Sequence, residues 1–110
     1  MLRSTDQRDL TSETETLKAL ASEIRLSILE WLREPQSVFV SQREGDLSDD
    51  GGVCVSLIAQ RAGMSQPTIS RHLEILRRTG LIYTRRVANW NFHYRDDAGI
   101  THARHILDTI

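Results

Sequence analysis

Residues 55–80, VSLIAQRAGMSQPTISRHLEILRRTG, give the strongest indication of the fold. Its apolar residues recur at helical spacing on both sides of a three-residue turn, Gly63-Met64-Ser65. Gly63 suits the end of the first helix, and Ser65 followed by Pro67 suits the start of the second. Two helices joined by a turn of this length predict a helix-turn-helix.

The second helix of this pair carries hydrogen-bonding side chains outside its apolar stripe. In a DNA-binding helix-turn-helix this helix lies in the major groove, with its first residues toward the base edges. The side chains suited to those contacts are Gln66, Thr68, Ser70 and Arg71. Arg77 and Arg78 at its end suit phosphate contacts. An amphipathic helix with a merely solvated polar face is the alternative interpretation.

The segment after this pair, LIYTRRVANWNFHYR (81–95), predicts a β-hairpin with its tip at 87–90, because β-branched and aromatic residues flank Ala88-Asn89. Arg85, Arg86 and Asn89 favour a wing that lies along the DNA backbone or in the minor groove. A surface hairpin that only covers the core is the alternative. The aromatic residues expected to cover the core are Tyr83, Phe92 and Tyr94.

The rest of the chain predicts one helical domain over residues 13–110, after a flexible polar arm at 1–12. Apolar spacing indicates two helices, or one kinked helix, over 13–33, with Ser22 as a cap. A further helix follows Asp96. Residues 34–52 break the periodicity and are acidic and turn-rich toward their end, which predicts a flexible loop with a short strand at 37–41.

The terminal helices, 13–21 and 97–110, each carry an apolar stripe that needs a partner, which predicts a homodimer. The residues expected at the dimer interface are Leu17, Leu20, Ile100, Ala103, Leu107 and Ile110. Two recognition helices would then face successive major grooves of double-stranded DNA, on an operator with an approximate inverted repeat.

The charge of the chain is divided along its length. The net charge is −1, but residues 1–50 sum to −5 and residues 51–110 to +4. Residues 61–95 hold seven arginines and one acidic residue, Glu74. This distribution favours one face that binds a polyanion, although a chance cluster on a solvated surface is the alternative.

Composition also excludes several classes of protein. No apolar run approaches the ~20 residues of a membrane helix, and the polar N-terminus is unlike a secretory signal. The single cysteine fits a reducing compartment, so we expect a cytoplasmic protein. No spacing places a nucleophile beside an oriented base, so we expect no enzymatic activity.

Three stretches of the chain resemble the ArsR family of winged-helix bacterial repressors: LKALASEIRLSILEWL (17–32), MSQPTISRHLEILRRTGLI (64–82) and RRVANWNFHYR (85–95). The resemblance covers about 17–110, interrupted by 34–52. We therefore expect an α+β, mostly helical, winged helix-turn-helix with terminal dimerisation helices. The resemblance implies a homodimer that occupies an operator, blocks transcription and leaves the DNA on a signal that the sequence does not identify. It also implies a semi-buried structural role for His72.

Many members of that family sense metals, at either of two kinds of site. One kind uses two cysteines, but here Ser56 stands where the second would be, so this site is not expected. We expect Cys54 to be a small buried residue, with a lone thiol sensor as the alternative. The other kind uses the last helix, where His102 and His105 share a face but lack an accompanying Asp-x-His element. The sequence therefore predicts no metal site and no cofactor.

Two alternatives to a DNA-binding repressor of this kind stay open at this point. One is a metal-sensing ArsR-type repressor that uses His102 and His105. The other is a winged-helix protein-interaction module that binds no DNA, against which the clustered arginines argue.

Overall fold

The structure is a computed structural model that describes residues 8–110. Most of the predicted arm, residues 1–12, therefore lies outside the described residues, and the first helix begins shortly after residue 8. Helix α1 starts at Thr11, two residues before the predicted start. The carboxylate of Asp9 explains this, since it accepts hydrogen bonds from the Thr11 backbone N–H (2.9 Å) and hydroxyl (2.6 Å).

Six helices and one two-stranded antiparallel sheet make up residues 8–110, in the order expected of a winged helix-turn-helix. The elements are α1 (Thr11–Leu20), α2 (Glu23–Trp31), α3 (Pro35–Val38), α4 (Val55–Ala62), α5 (Gln66–Arg78), β1 (Ile82–Val87), β2 (Trp90–Arg95) and α6 (Asp97–Thr109). The chain over 13–33 is therefore two helices, separated where the Ser22 hydroxyl accepts from the Arg25 N–H at the start of α2.

The core lies where α2, α4 and α5 meet the start of the hairpin. Ile28, Ile58 and Leu76 are fully buried there, together with Leu81 just before β1. Removing a side chain of this size from water contributes ~1.5–3 kcal/mol, so a few such residues fix how α5 sits on the domain. Helix α1 packs against both α2 and α6 at the other end of the molecule.

The segment 34–52, predicted as a flexible loop with a short strand, holds a helix in place of that strand. Where a strand was predicted at 37–41, the structure has α3, because Pro35 is buried at the first turn of a helix, where its missing N–H costs nothing. Beyond it the chain folds around Asp46, whose carboxylate accepts from the backbone N–H groups of Gln42 (2.8 Å) and Arg43 (3.0 Å).

Asp46 shows why an acidic segment is ordered here. Its side chain is buried, and burial by itself raises the pKa of this carboxyl, but the two backbone donors and the nearby Arg43 guanidinium bring the pKa below its ordinary value. The Asp46 carbonyl also accepts from the N–H of Cys54 at 3.0 Å. These bonds connect the segment directly to the start of α4.

Gly99 allows α6 to approach the end of α5 closely. A Cβ at this position would lie 1.8 Å from the carbonyl oxygen of Gly80. Because that atom belongs to the backbone, Gly99→Ala must displace α6 or the α5–β1 turn. We expect the substitution to lower the free energy of unfolding by at least ~2 kcal/mol in urea denaturation, in the range of overpacked cores.

The exposed residue Thr101 on the same helix supplies the control for that measurement. Thr101→Ala should change the free energy of unfolding by less than ~0.5 kcal/mol, as surface substitutions do. An unchanged urea midpoint in Gly99→Ala would show that α6 does not make this close approach.

Candidate DNA-binding surface

Helix α5 buries one side and exposes the other, as the sequence predicts. Ile69, Leu73 and Leu76 are its buried residues. The Ser65 hydroxyl caps its first turn by accepting from the Thr68 N–H at 3.3 Å. Gly63 ends α4 in the left-handed conformation (φ 67°), which a residue with a side chain rarely adopts. The Ser65 cap and the C-cap glycine therefore fix where α4 ends and α5 begins.

The predicted base-reading residues differ in how freely they face solvent. Gln66, Ser70 and Arg71 are exposed on α5. Thr68 is half-buried, and its hydroxyl accepts a hydrogen bond of 2.9 Å from Ser65. Thr68 is thus partly occupied by the helix cap, whereas the other three side chains lie open on the same helix.

The end of α5 is basic, and the two arginines predicted for phosphate contact are both exposed. Arg77 forms an ion pair with Glu74, one turn earlier on the helix. Part of its charge is therefore balanced within the protein, and Arg78 is expected to contribute more to the attraction of a polyanion.

The hairpin matches its predicted boundaries and tip. Strands β1 and β2 pair Arg85 with Phe92 and Arg86 with Asn91, across a two-residue turn in which Ala88 has a positive φ of 54°. Because successive side chains point to opposite faces of a strand, Arg85 and Arg86 lie on different faces of the hairpin.

Arg85 turns toward the folded segment that precedes α4. Its Nη1 donates to the Asp50 carboxylate at 3.0 Å, and its guanidinium lies 5.4 Å from the ring centroid of Tyr94. The Tyr94 hydroxyl donates to the same carboxylate at 2.7 Å. The anion that Arg85 meets in the described structure is thus Asp50, 35 residues away in sequence. Nothing in the sequence pattern indicates this pairing.

The aromatic residues of the hairpin divide between core and surface. Phe92 and Tyr94 are buried, as predicted, beneath Gly52, at which a Cβ would clash with both. Tyr83, which was also expected to cover the core, is 40% exposed. It stacks on the ring of buried Tyr94 with ring centroids 4.8 Å apart.

His93 joins the hairpin by hydrogen bonds to the residues just before α4. Its backbone N–H and C=O pair with Val53 at 2.9 and 3.0 Å, and its Nδ1 lies 2.9 Å from the Thr84 hydroxyl. Burial, with a smaller contribution from Arg77, lowers the pKa of His93 from its usual 6.5 to about 4. The folded protein therefore keeps this imidazole neutral at neutral pH.

His93 gives the stability of the protein a defined pH dependence. The unfolded chain binds a proton near pH 6.5 and the folded one only near 4, so stability is complete above that window and falls as the pH drops through it. Between about pH 7 and about pH 5 we expect the free energy of unfolding to fall by roughly 2 kcal/mol from this group. Urea denaturation at both pH values measures it.

His93→Gln tests this assignment, because glutamine does not titrate. The variant should lose most of that pH-dependent decrease, whereas exposed His105 replaced by glutamine should retain it. A decrease of the same size in His93→Gln and in the wild type would show that His93 is not the responsible group.

The predicted dimer residues do not form one exposed stripe. Leu17, Leu107 and Ile110 are exposed, and Leu20 is half-buried. Ile100 and Ala103 are only 8% and 7% exposed, because α6 uses them, with Ile106, to pack on its own chain. These two residues therefore offer little surface to a second copy, and Leu17, Leu107 and Ile110 are the stronger candidates for the predicted interface.

The candidate sensing residues belong to two elements, with Cys54 at the start of α4 and both histidines on α6. Cys54 is half-buried, with its Sγ 3.1 Å from the Ser56 hydroxyl and 3.8 Å from Asp46. A soft-metal site needs several thiolates, so these donors do not fit one. His102 and His105 are exposed on α6, and His105 faces Asp108 at 3.6 Å. Within residues 8–110, no group of three or more His, Cys, Asp or Glu side chains is placed to hold a metal ion.

One groove brings the start of α5 and the tip of the hairpin together. Gln66 of α5 and Asn89, Trp90 and Asn91 of the hairpin line it, with a volume of about 430 Å³, together with Arg43, Glu44 and Asp46 of the preceding loop. Two of the predicted DNA contacts, Gln66 and Asn89, therefore border the same space although 23 positions separate them in the sequence.

Across residues 8–110, no helix is both long and apolar enough to cross a membrane.

Comparison with known proteins matches the helix-turn-helix to a family of regulators. The model of the arsR family of bacterial regulatory proteins matches residues 47–84. YbzH of Bacillus subtilis strain 168, an uncharacterized HTH-type transcriptional regulator, is 41% identical over 95 residues, which are 86% of this chain and 94% of YbzH. The arsenical resistance operon repressor of Escherichia coli K12 is 45% identical over 49 residues, 44% of this chain and 41% of that protein.

Solved structures share the fold. A homodimeric winged helix-turn-helix DNA-binding domain from Mycobacterium bovis, a possible ArsR-family transcriptional regulator, aligns with a TM-score of 0.64 and 23% identity, over 99% of this chain and 89% of that one. The winged helix-turn-helix prediction is confirmed. The relatives are regulators of transcription, which also confirms the prediction of a non-enzymatic protein.

Proposed function

Because the chain belongs to the arsR family of bacterial regulatory proteins, which are DNA-binding regulators of transcription, we propose that it is a dimeric repressor of the bacterial cytoplasm. It occupies an operator with an approximate inverted repeat and leaves it on a signal that is not yet identified. The observation that carries the proposal is the groove shared by Gln66 at the start of α5 and Asn89 at the wing tip.

Exposed side chains of α5 and of the wing, of which Gln66 and Asn89 border this groove, suit the two kinds of DNA contact. Gln66, Ser70 and Arg71 stand exposed on α5, where base edges of the major groove would meet them, with Thr68 in a lesser role. Arg86 and Asn89 stand exposed on the wing, where the backbone or the minor groove would pass. The exposed arginines that supply further phosphate contacts in this proposal are Arg77, Arg78 and Arg85.

The proposal of a dimer rests on apolar surface at the terminal helices. Leu17 of α1 and Leu107 and Ile110 of α6 are 38%, 68% and 72% exposed, and α1 packs against α6. Exposed apolar residues grouped in this way are typical of an interface. The Mycobacterium bovis neighbour is a homodimer, and the Escherichia coli relative is an operon repressor, which supports both parts of the proposal.

The proposal is tested with the DNA upstream of the protein's own gene. Fluorescence anisotropy should show binding to an inverted repeat in that DNA at least ~10³-fold tighter than to a scrambled duplex of the same length, as specific DNA-binding proteins show. Equal affinity for the two duplexes would contradict the proposed operator binding and would favour a winged-helix module that recognises a protein.

The two wing arginines make different contributions in this proposal. Arg86 is exposed beside Asn91, whereas Arg85 is held by Asp50 at 3.0 Å. Arg86→Ala should weaken binding to all sequences and reduce the slope of log K against log salt by about one, since one phosphate contact is lost. Arg85→Ala should reduce that slope by less. A slope that Arg86→Ala leaves unchanged would remove this arginine from the DNA contacts.

A further inference from the structure

Arg25, near the start of α2, contacts two other helices at once. Its Nε donates to the carbonyl oxygen of Ala19 at 2.7 Å, and its Nη2 donates to that of Lys18 at 3.2 Å. Its Nη1 lies 3.0 Å from Nδ1 of His72 on α5. One half-buried guanidinium therefore connects the end of α1 with the recognition helix α5. Arg25 and His72 are 47 residues apart in the sequence.

The α1 end of this connection offers carbonyl acceptors. Lys18 and Ala19 lie in the last turn of α1, at the negative end of the helix dipole, and the Lys18 carbonyl also accepts from the N–H of Ala21 at 3.2 Å. His72 is half-buried, whereas the adjacent Arg71 is exposed, so the two side chains leave α5 in different directions. Arg25 thus holds α5 from a side other than the one proposed to meet DNA.

We propose that Arg25 and His72 are positioning residues, which fix the orientation of α5 relative to α1 and so set the separation of the two recognition helices in the dimer. The inference rests on the proposed function. In a dimer that reads two half-sites, the second recognition helix meets its groove only if each α5 is held at one angle to the dimerisation helices. A loose α5 still reads a single half-site but loses the simultaneous second contact.

The chemistry of this pair requires a neutral histidine. A guanidinium group has only donors, so Nδ1 of His72 accepts and the ring proton lies on Nε2. Protonation turns Nδ1 into a donor and sets two positive charges 3.0 Å apart. The charged groups that face His72 are Arg25 of α2 and Arg71 of its own helix. Burial first, and then these two arginines, lower the pKa of His72 below its usual value.

Two substitutions of His72 separate positioning from general stability. His72→Asn keeps an acceptor near the position of Nδ1 but cannot become charged, whereas His72→Leu removes the acceptor and keeps apolar volume. Arg25→Gln removes the guanidinium from the other side. Circular dichroism and sedimentation confirm that each variant is folded and dimeric before DNA is added.

The readout compares an inverted-repeat duplex from the gene's own upstream DNA with the same duplex in which one half-site is scrambled. We expect His72→Leu and Arg25→Gln to weaken binding to the full site by about tenfold, within the usual range of coupling between sites, and to the half-site by less than about twofold. His72→Asn should bind the full site like the wild type at neutral pH. It should also lose the decrease in affinity that the wild type shows as His72 becomes protonated in acid.

Each other outcome decides against the inference. Equal loss on full and half-sites would mean that the pair only stabilises the fold, and wild-type affinity in all variants would mean that it positions nothing. A wild-type protein without preference for any inverted repeat would overturn the proposed function, and this inference with it. A wild-type preference that His72→Leu and Arg25→Gln retain in full overturns the inference alone.

Discussion

Replacing Arg71 with alanine is expected to weaken operator binding by roughly 5- to 150-fold, the equivalent of ~1–3 kcal/mol for one good base contact. Arg71 is exposed on α5, on the same helix as the exposed Gln66 and Ser70. A guanidinium in the major groove forms two hydrogen bonds with guanine, and alanine forms none. If Arg71 reads a guanine, discrimination at that base pair should relax in the variant, whereas affinity for unrelated DNA changes less.

Arg33, exposed between α2 and α3, supplies the matched control. Arg33→Ala removes the same charge from the acidic half of the chain, so it should change operator affinity by less than about twofold. Anisotropy titrations of both variants, at one salt concentration, measure the difference. Equal affinities for Arg71→Ala, Arg33→Ala and the wild type would exclude α5 as the helix that reads the operator.

The second large effect is expected at the dimer interface, from Leu107→Glu. Leu107 is 68% exposed, so the single chain tolerates glutamate there, but in a dimer the carboxylate would be buried against apolar side chains. A symmetric dimer carries this substitution in both subunits, so two carboxylates are buried at its interface. We expect the dimer dissociation constant, measured by sedimentation, to rise by more than about 100-fold, which is ~3 kcal/mol, with operator affinity falling in parallel.

Two further variants locate this effect. Leu26→Glu changes an equally apolar, 51% exposed residue of α2, outside the terminal helices, and should leave the dimer intact. Ala103→Glu should instead lower the free energy of unfolding, because Ala103 packs within its own chain. If Leu107→Glu sediments like the wild type while Leu26→Glu separates the subunits, the interface lies on α2 and the proposed one is wrong.

The helix-turn-helix and the wing could be predicted because their signals are local. Ser65, Pro67 and Gly63 act on the residues beside them, and the hairpin register follows from two strands joined by a two-residue turn. Each of these features is decided within about ten residues of sequence, so composition and spacing are sufficient to place them.

The contacts that could not be predicted join residues that are distant in sequence. Apolar spacing shows that Ile100 and Ala103 need a partner but not whether that partner is the same chain or a second one. No local pattern indicates that Arg85, which is proposed to contact DNA, also pairs with Asp50 at 3.0 Å. The sequence places Asp46 in an acidic, turn-rich loop, and only the fold shows the two backbone N–H groups that make its burial favourable.

The most direct test of a dimeric winged helix on an operator is hydroxyl-radical footprinting of the wild-type protein on its own upstream DNA. We expect two protected regions, related by the symmetry of the inverted repeat and centred one helical turn apart, about 34–36 Å. Flanking protection should disappear with Arg86→Ala, which removes a wing contact. A single protected region without symmetry, or DNA cleaved equally with and without the protein, would contradict the assignment.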